Sequence, residues 1–190
     1  MFQLKSQDIK YSHNFDTNDQ TDAFTLLGIS NFKFEMPVAF KGYYFDFIIK
    51  EYLDGVEINS IRQSTRFAEM KQVLQWRTEL NEYTMKIQSL KNDTVETFNV
   101  RLPGIGLRGL KLKLKMKRHV YEWQPLVNEK TKLIEDTEIP ILTFSSDPSI
   151  PSRPNTAVHC ELPNYNYTDW NTKLKVKHFF VMAIKVTKNL

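Results

Sequence analysis

The 190-residue chain carries 41% hydrophobic and 13% aromatic residues with a net charge of +4, which supplies a packed interior and excludes an intrinsically disordered chain. Its single cysteine, Cys160, excludes an intramolecular disulfide and any multi-cysteine zinc centre. The longest apolar run, residues 179–184, falls far short of the roughly 18 residues that a membrane-spanning helix needs.

These bounds fit an N-terminal arm over residues 1–31 and a single β-sandwich domain over residues 32–190. The first eight residues lack the basic head and apolar stretch of a secretory signal, so the sequence leaves the compartment open, with export depending on a signal removed beforehand. In the arm, residues 14–22 are rich in Asp, Asn and Thr, and a short apolar group, residues 24–29, follows as a turn or strand.

From Phe32 the side chains alternate. Phe32, Phe34, Met36 and Val38 fall on one face and Lys33 and Glu35 on the other, as in a half-buried strand. Lys41-Gly42 offers a turn, and residues 43–53 repeat the alternation, with Tyr43, Phe45, Phe47 and Ile49 opposed by Asp46 and Lys50. Asp54-Gly55 then predicts a type I′ hairpin, because both central residues of that turn need positive φ, and residues 56–61 return antiparallel.

Residues 64–80 change period. Phe67, Met70, Val73 and Leu74 recur at three- and four-residue intervals behind a Ser or Thr cap, predicting one helix around residues 65–80. Tyr83, Met85 and Ile87, a turn at Asn92-Asp93 and residues 95–102 form a second expected hairpin.

Gly104-Ile105-Gly106-Leu107-Arg108-Gly109 is a literal G-x-G-x-x-G. Dinucleotide binding needs such a loop to open a helix, whose N-terminal amides hold the pyrophosphate. Here a strand is expected to follow, so the glycines are read as an inter-strand loop and no cofactor is expected.

That strand is Leu110 to Lys117, eight residues of unbroken apolar–lysine alternation. A helix would scatter the lysines around its circumference. A strand sets Lys111, Lys113, Lys115 and Lys117 on one face, roughly 6.5–7 Å apart. His119, Tyr121 and Trp123 have the same parity and add rings suited to stacking on bases or sugars. Such a row suits phosphates, sulfated glycans or anionic lipid heads, and it also suits a merely solvated or aggregation-resistant edge. The basicity is local: residues 101–118 hold seven Lys or Arg and no acid, and removing those seven from the 26 basic residues leaves the remainder slightly negative against 22 acids.

Residues 139–144 and 156–162 are expected strands around a proline-rich loop at 147–154, and residues 173–186 form the last strand. In that strand Leu174, Val176, His178, Phe180, Met182, Ile184 and Val186 share a face. The opposite face runs from Lys173, Lys175 and Lys177 to Phe179, Val181 and Ala183, so the second half should be covered on both sides and lie centrally. Between these strands, residues 162–170 place Tyr165, Tyr167 and Trp170 among amides in a loop suited to protein or glycan recognition.

No catalytic constellation emerges. Cys160 is flanked by His159 and Glu161, but adjacent strand residues point to opposite faces, so a buried inert thiol is expected. No His-Cys-Asp spacing resembles a metal site. Glu135-Asp136, or Asp46 with Glu51, could act as acid and base only if folding brought them together.

Seven to nine strands linked by hairpins predict an all-β, mainly antiparallel sandwich. Residues 34–59, above all Tyr44-Phe45-Asp46-Phe47-Ile48-Ile49-Lys50-Glu51-Tyr52-Leu53-Asp54-Gly55, with the ending His178-Phe179-Phe180-Val181-Met182-Ala183-Ile184, resemble uncharacterised all-β proteins of about 200 residues from Bacteroides-type bacteria. The resemblance covers most of the chain, rests on texture rather than a catalytic signature, and implies an exported or cell-envelope protein.

The leading functional expectation is a non-enzymatic binding or structural module with a protein or glycan partner. Beside it stand a polyanion- or membrane-surface-binding domain acting through Lys111–Lys117, and a hydrolase whose acids converge only in the fold.

Overall fold

The computed structural model describes residues 6–12, 26–37, 43–66, 82–90, 95–102, 105–115, 121–128, 131–146, 162 and 166–188. These are overwhelmingly strands, and the expectation of an all-β, antiparallel fold consistent with a sandwich is met. The first five-stranded sheet contains β4 (Tyr44–Leu53), β5 (Val56–Arg66), β9 (Tyr121–Pro125), β11 (Glu138–Ser146) and β12 (His178–Thr187), in the order β5-β4-β12-β11-β9. The second contains β2 (Lys10–Ser12), β3 (Ile29–Pro37), β6 (Glu82–Leu90), β7 (Val95–Leu102) and β8 (Ile105–Lys113), in the order β2-β3-β6-β7-β8. A small antiparallel pair joins β1 (Ser6–Asp8) to β10 (Lys132–Ile134), so residues 6–12 contribute strands to two of the three sheets.

Alternation explains the main core. Phe32, Phe34, Met85, Ile87, Phe98, Val100 and Leu112 from the second sheet face Phe45, Phe47, Ile49, Phe144, Phe180, Met182 and Ile184 from the first, all buried. β12 lies at the centre of its sheet, as its two apolar faces predict. Its other face, Phe179 and Val181, is covered by Trp170, Leu174 and Val176 in a second cluster. A short helix, α1 (Trp170–Leu174), preceded by a 3₁₀ turn at Tyr167–Asp169, supplies that cover. Among the described residues no helix is long and apolar enough to cross a membrane.

Three local expectations change. β12 begins at His178 rather than at residue 173, because α1 ends with Lys175 in the left-handed region at φ 55, which turns the chain before the sheet. Lys173, Lys175 and Lys177 therefore form no strand ladder. Gly106 and Gly109 lie within β8, Gly106 opposite Arg101 of β7, and not in a loop; no helix opens there, so the dinucleotide geometry is absent. Residues 64–66 continue β5, while the rest of the helix expected around 65–80 lies outside the described residues, as do the turns at 41–42 and 92–93, the loop at 147–154 and, apart from Leu162, the strand expected at 156–162, Cys160 included.

The hairpin at Asp54-Gly55 is present. Asp54 has φ 50 and Gly55 φ 82, both central residues of the turn being left-handed as type I′ requires, and β4 pairs with the longer-than-expected β5 down to Tyr44↔Arg66. A Cβ on Gly55 would stand 3.1 Å from Asn171 Cβ and Nδ2 of α1. Gly55→Ala should therefore lower unfolding free energy by about 1–3 kcal/mol in urea titrations; an unchanged midpoint would show that neither the turn nor α1 resists a side chain there.

Candidate functional site

The lysine row is real only in part. Lys111 and Lys113 stand exposed around buried Leu112 on β8, and Lys115 is exposed just beyond the strand's end. Lys117 and His119 lie outside the described residues. Among the described residues β8 ends its sheet, the position where lysines also guard against unwanted pairing.

Tyr121 and Trp123 do not continue that face, because β9 belongs to the other sheet and turns both rings into the main core. Tyr121 is 2% exposed and stacks on Phe144 at 5.2 Å; Trp123 packs on Phe144 at 4.5 Å and Phe32 at 5.6 Å, and its indole N–H donates to Glu96 Oε1 at 3.1 Å. Two of the loop aromatics also pack against the sheet. Trp170, 1% exposed, packs on Phe179 at 5.0 Å, and half-buried Tyr167 meets Tyr52 at 5.7 Å. Burying this apolar surface outweighs displaying it. Tyr165 lies outside the described residues.

What the fold assembles instead is a cleft where two sheet edges part. Ile49 and Glu51 from β4, Asn59 and Ile61 from β5, Phe180 from β12, and Lys111, Leu112, Lys113 and Lys115 from β8 and its end line a cavity of about 260 Å³. The register explains the wall: Glu51 lies opposite both Asn59 and Phe180, and Ile49 opposite Ile61. Glu51 thus occupies the next inward position after Phe45, Phe47 and Ile49.

Glu51 is held from behind. His178, fully buried, sits at the head of β12's inward face; its Nε2 is 3.0 Å from Glu51 Oε1, and its Nδ1 bonds to the Tyr121 hydroxyl. A neutral imidazole has one donor and one acceptor nitrogen, so the partners assign Nε2–H as donor to the carboxylate and Nδ1 as acceptor from the tyrosine. Burial pushes the His178 pKa below its ordinary value, the Lys115 charge acts in the same direction, and Glu51 opposes both. The signal for this trio was present in the sequence as polar residues at inward parity, Glu51 after three apolar positions and His178 before Phe180. Parity alone could not say that the two strands pair.

The acid pairs singled out in the sequence do not converge on this cleft. Asp46, on the outward face of β4, is buried by hydrogen bonds from Arg62 and Ser64 of β5, whereas Glu51, five residues on, faces inward. The Tyr43 hydroxyl lies 3.4 Å from Glu135 Oε2, while neighbouring Asp136 turns left-handed at φ 60. Among the described residues no group of three or more His, Cys, Asp or Glu could hold a metal ion.

Fold and cleft together define an antiparallel β-sandwich with a charged opening between two sheet edges. Residues 1–188 match the family described as Domain of unknown function (DUF5041), and the chain belongs to that family. No curated protein and no solved structure matches it.

Because the folded protein holds His178 neutral, the unfolded chain takes up its proton first as pH falls below the ordinary value of 6.5. Stability should rise with pH across the window beneath 6.5 and be lost as pH falls through it. Thermal melts of the protein and of His178→Gln should differ, the variant showing the shallower dependence on pH; equal slopes would assign the acid sensitivity elsewhere.

Proposed function

We propose that this protein is a non-enzymatic binding module whose ligand is anionic and sits across the β8 edge and the cleft beside it. The observation that carries the reading is the lining of that cleft: three exposed lysines, Lys111, Lys113 and Lys115, beside an apolar wall of Ile49, Ile61, Leu112 and Phe180. Cations at a concave mouth attract an anion, and the wall beside them supplies contact area that a flat solvated edge lacks. The aromatic residues 121, 123, 167 and 170 are occupied in packing, so the lysine side of the molecule remains the better recognition surface.

Binding in preference to hydrolysis is supported by the acid inventory. Glu51 is the one carboxylate among the described lining residues, and general acid and base catalysis on a glycosidic bond uses two. An exported or cell-envelope setting belongs to the same proposal and rests on the sequence resemblance; fractionation that leaves the chain in the cytoplasm would remove it.

Titration with low-molecular-weight heparin at about 50 and 200 mM salt tests the anionic reading, since contacts of this kind release counterions and weaken as salt rises. The protein should bind in a salt-sensitive manner, and the triple variant Lys111→Gln, Lys113→Gln, Lys115→Gln should lose most of that binding while melting at the same temperature. Absence of salt-sensitive binding, or a triple variant that binds like the parent, overturns the proposal.

A further inference from the structure

Glu51 is an unusual lining residue for an anion site, because a carboxylate among three lysines repels the ligand that they attract. Its placement is nevertheless firmly specified. One oxygen accepts from His178 Nε2 at 3.0 Å, and His178 is itself fixed through Nδ1 by the Tyr121 hydroxyl. The imidazole is fully buried and Tyr121 nearly so, so this support is held in low dielectric where few alternative partners exist. Glu51 also lines the cleft, so its carboxylate stands within reach of whatever enters.

A carboxylate accepts hydrogen bonds and donates none when ionised. The ligand must therefore bring a donor. An ammonium donor would have to approach Lys111, Lys113 and Lys115 against their charge, whereas a hydroxyl meets no such barrier. Asn59, directly across the strand pair from Glu51, adds an amide that both donates and accepts, which suits a second hydroxyl beside the first. Ile49, Ile61 and Phe180 complete the wall with surfaces suited to C–H groups. At about 260 Å³ the cavity falls just below the range of about 300–1,000 Å³ usual for drug-sized ligands, leaving room for one compact unit.

From this arrangement we infer that the cleft recognises a compact hydroxylated organic anion, a hydroxy acid or one sugar-acid unit, with its acidic group toward the lysines and its hydroxyls on Glu51 and Asn59. Glu51 is the specificity-determining residue, and His178 and Tyr121 are positioning residues that act through it. The inference rests on the anion-binding reading proposed above and adds to it a requirement for hydroxyls. A single free anion and the terminal unit of a longer acidic chain share this chemistry.

Calorimetric titration of the full chain separates the parts, using glucuronate, methyl glucoside and cyclohexanecarboxylate as probes. Glucuronate carries ring, hydroxyls and charge; the glucoside lacks the charge; the cyclohexane acid lacks the hydroxyls. Glucuronate should bind at least about tenfold more tightly than either, the factor expected when a hydrogen bond to a charged group is made or lost. Glu51→Gln should shrink the preference for glucuronate over cyclohexanecarboxylate, because the variant side chain no longer presents a charged acceptor to the hydroxyls.

Heparin as a competitor distinguishes the two sources: displacement of glucuronate by it identifies an acidic chain as able to present the unit, and heparin that binds without displacing glucuronate leaves the free anion. If cyclohexanecarboxylate binds as well as glucuronate, or glucuronate does not bind while heparin does, the hydroxyl inference is overturned and the anion reading stands. If neither glucuronate nor heparin binds, both fall. A Glu51→Gln protein that keeps the full preference also overturns the inference, and matched melting temperatures show that the variant is folded.

Discussion

Ten antiparallel residue pairs between β4 and β12, from Leu53↔His178 to Tyr44↔Thr187, hold together segments separated by more than a hundred residues of sequence. The pairing sets the inward face of the first sheet. Phe45, Phe47 and Ile49 lie opposite Val186, Ile184 and Met182, so both strands deliver their apolar rows to the same side. A slip of one residue on either strand would turn its row outward and put Lys50 or Lys185 in the core, which is why the register is strongly specified.

The same pairing carries the polar end of the core. With Glu51 opposite Phe180 and His178 opposite Leu53, the carboxylate and the imidazole come to one face two positions apart, and β11 then brings β9 close enough for Tyr121 to reach the ring. Buried polar groups are costly unless partnered, and here the partners close a chain from tyrosine through histidine to carboxylate. Only the last member lines the cleft. The interior thereby fixes a carboxylate in the cleft lining without exposing the histidine that orients it.

On the opposite side of β12 the aromatic-rich segment near the C-terminal strand is used as cover. Phe179 stacks on Tyr52 at 4.8 Å with the rings 7° from parallel, and Trp170 closes over them. A strand buried on both faces needs a second layer, and α1 with its 3₁₀ turn supplies it in five residues and three. The left-handed Lys175 makes that layer compact by returning the chain at once to the sheet, and Asp54 N–H, donating to Lys177 carbonyl oxygen at 2.7 Å, ties the return to the β4–β5 hairpin.

Much of the fold was legible because alternation and turn chemistry are local properties. Phe32 and Phe34, Tyr43 to Ile49, Asp54-Gly55, and Phe179 to Val186 each announce a strand or a hairpin through neighbours only a few residues away. That β12 would be central also followed from its own two apolar faces. What periodicity could not supply was the identity of the partner strand, so Tyr121 and Trp123, which share the parity of Lys111 and Lys113, looked like one continuous face although the chain changes sheets between them. Likewise Trp170 looked like a loop aromatic because the surface it covers, Phe179 and Tyr52, lies on strands the sequence does not name as its neighbours. The sequence by itself determined the strand-forming segments and which side chains share a face; the tertiary structure alone decided which faces meet, because β4 joins β12 by long-range pairing and β8 meets them by packing of the opposite sheet, neither of which a local period encodes.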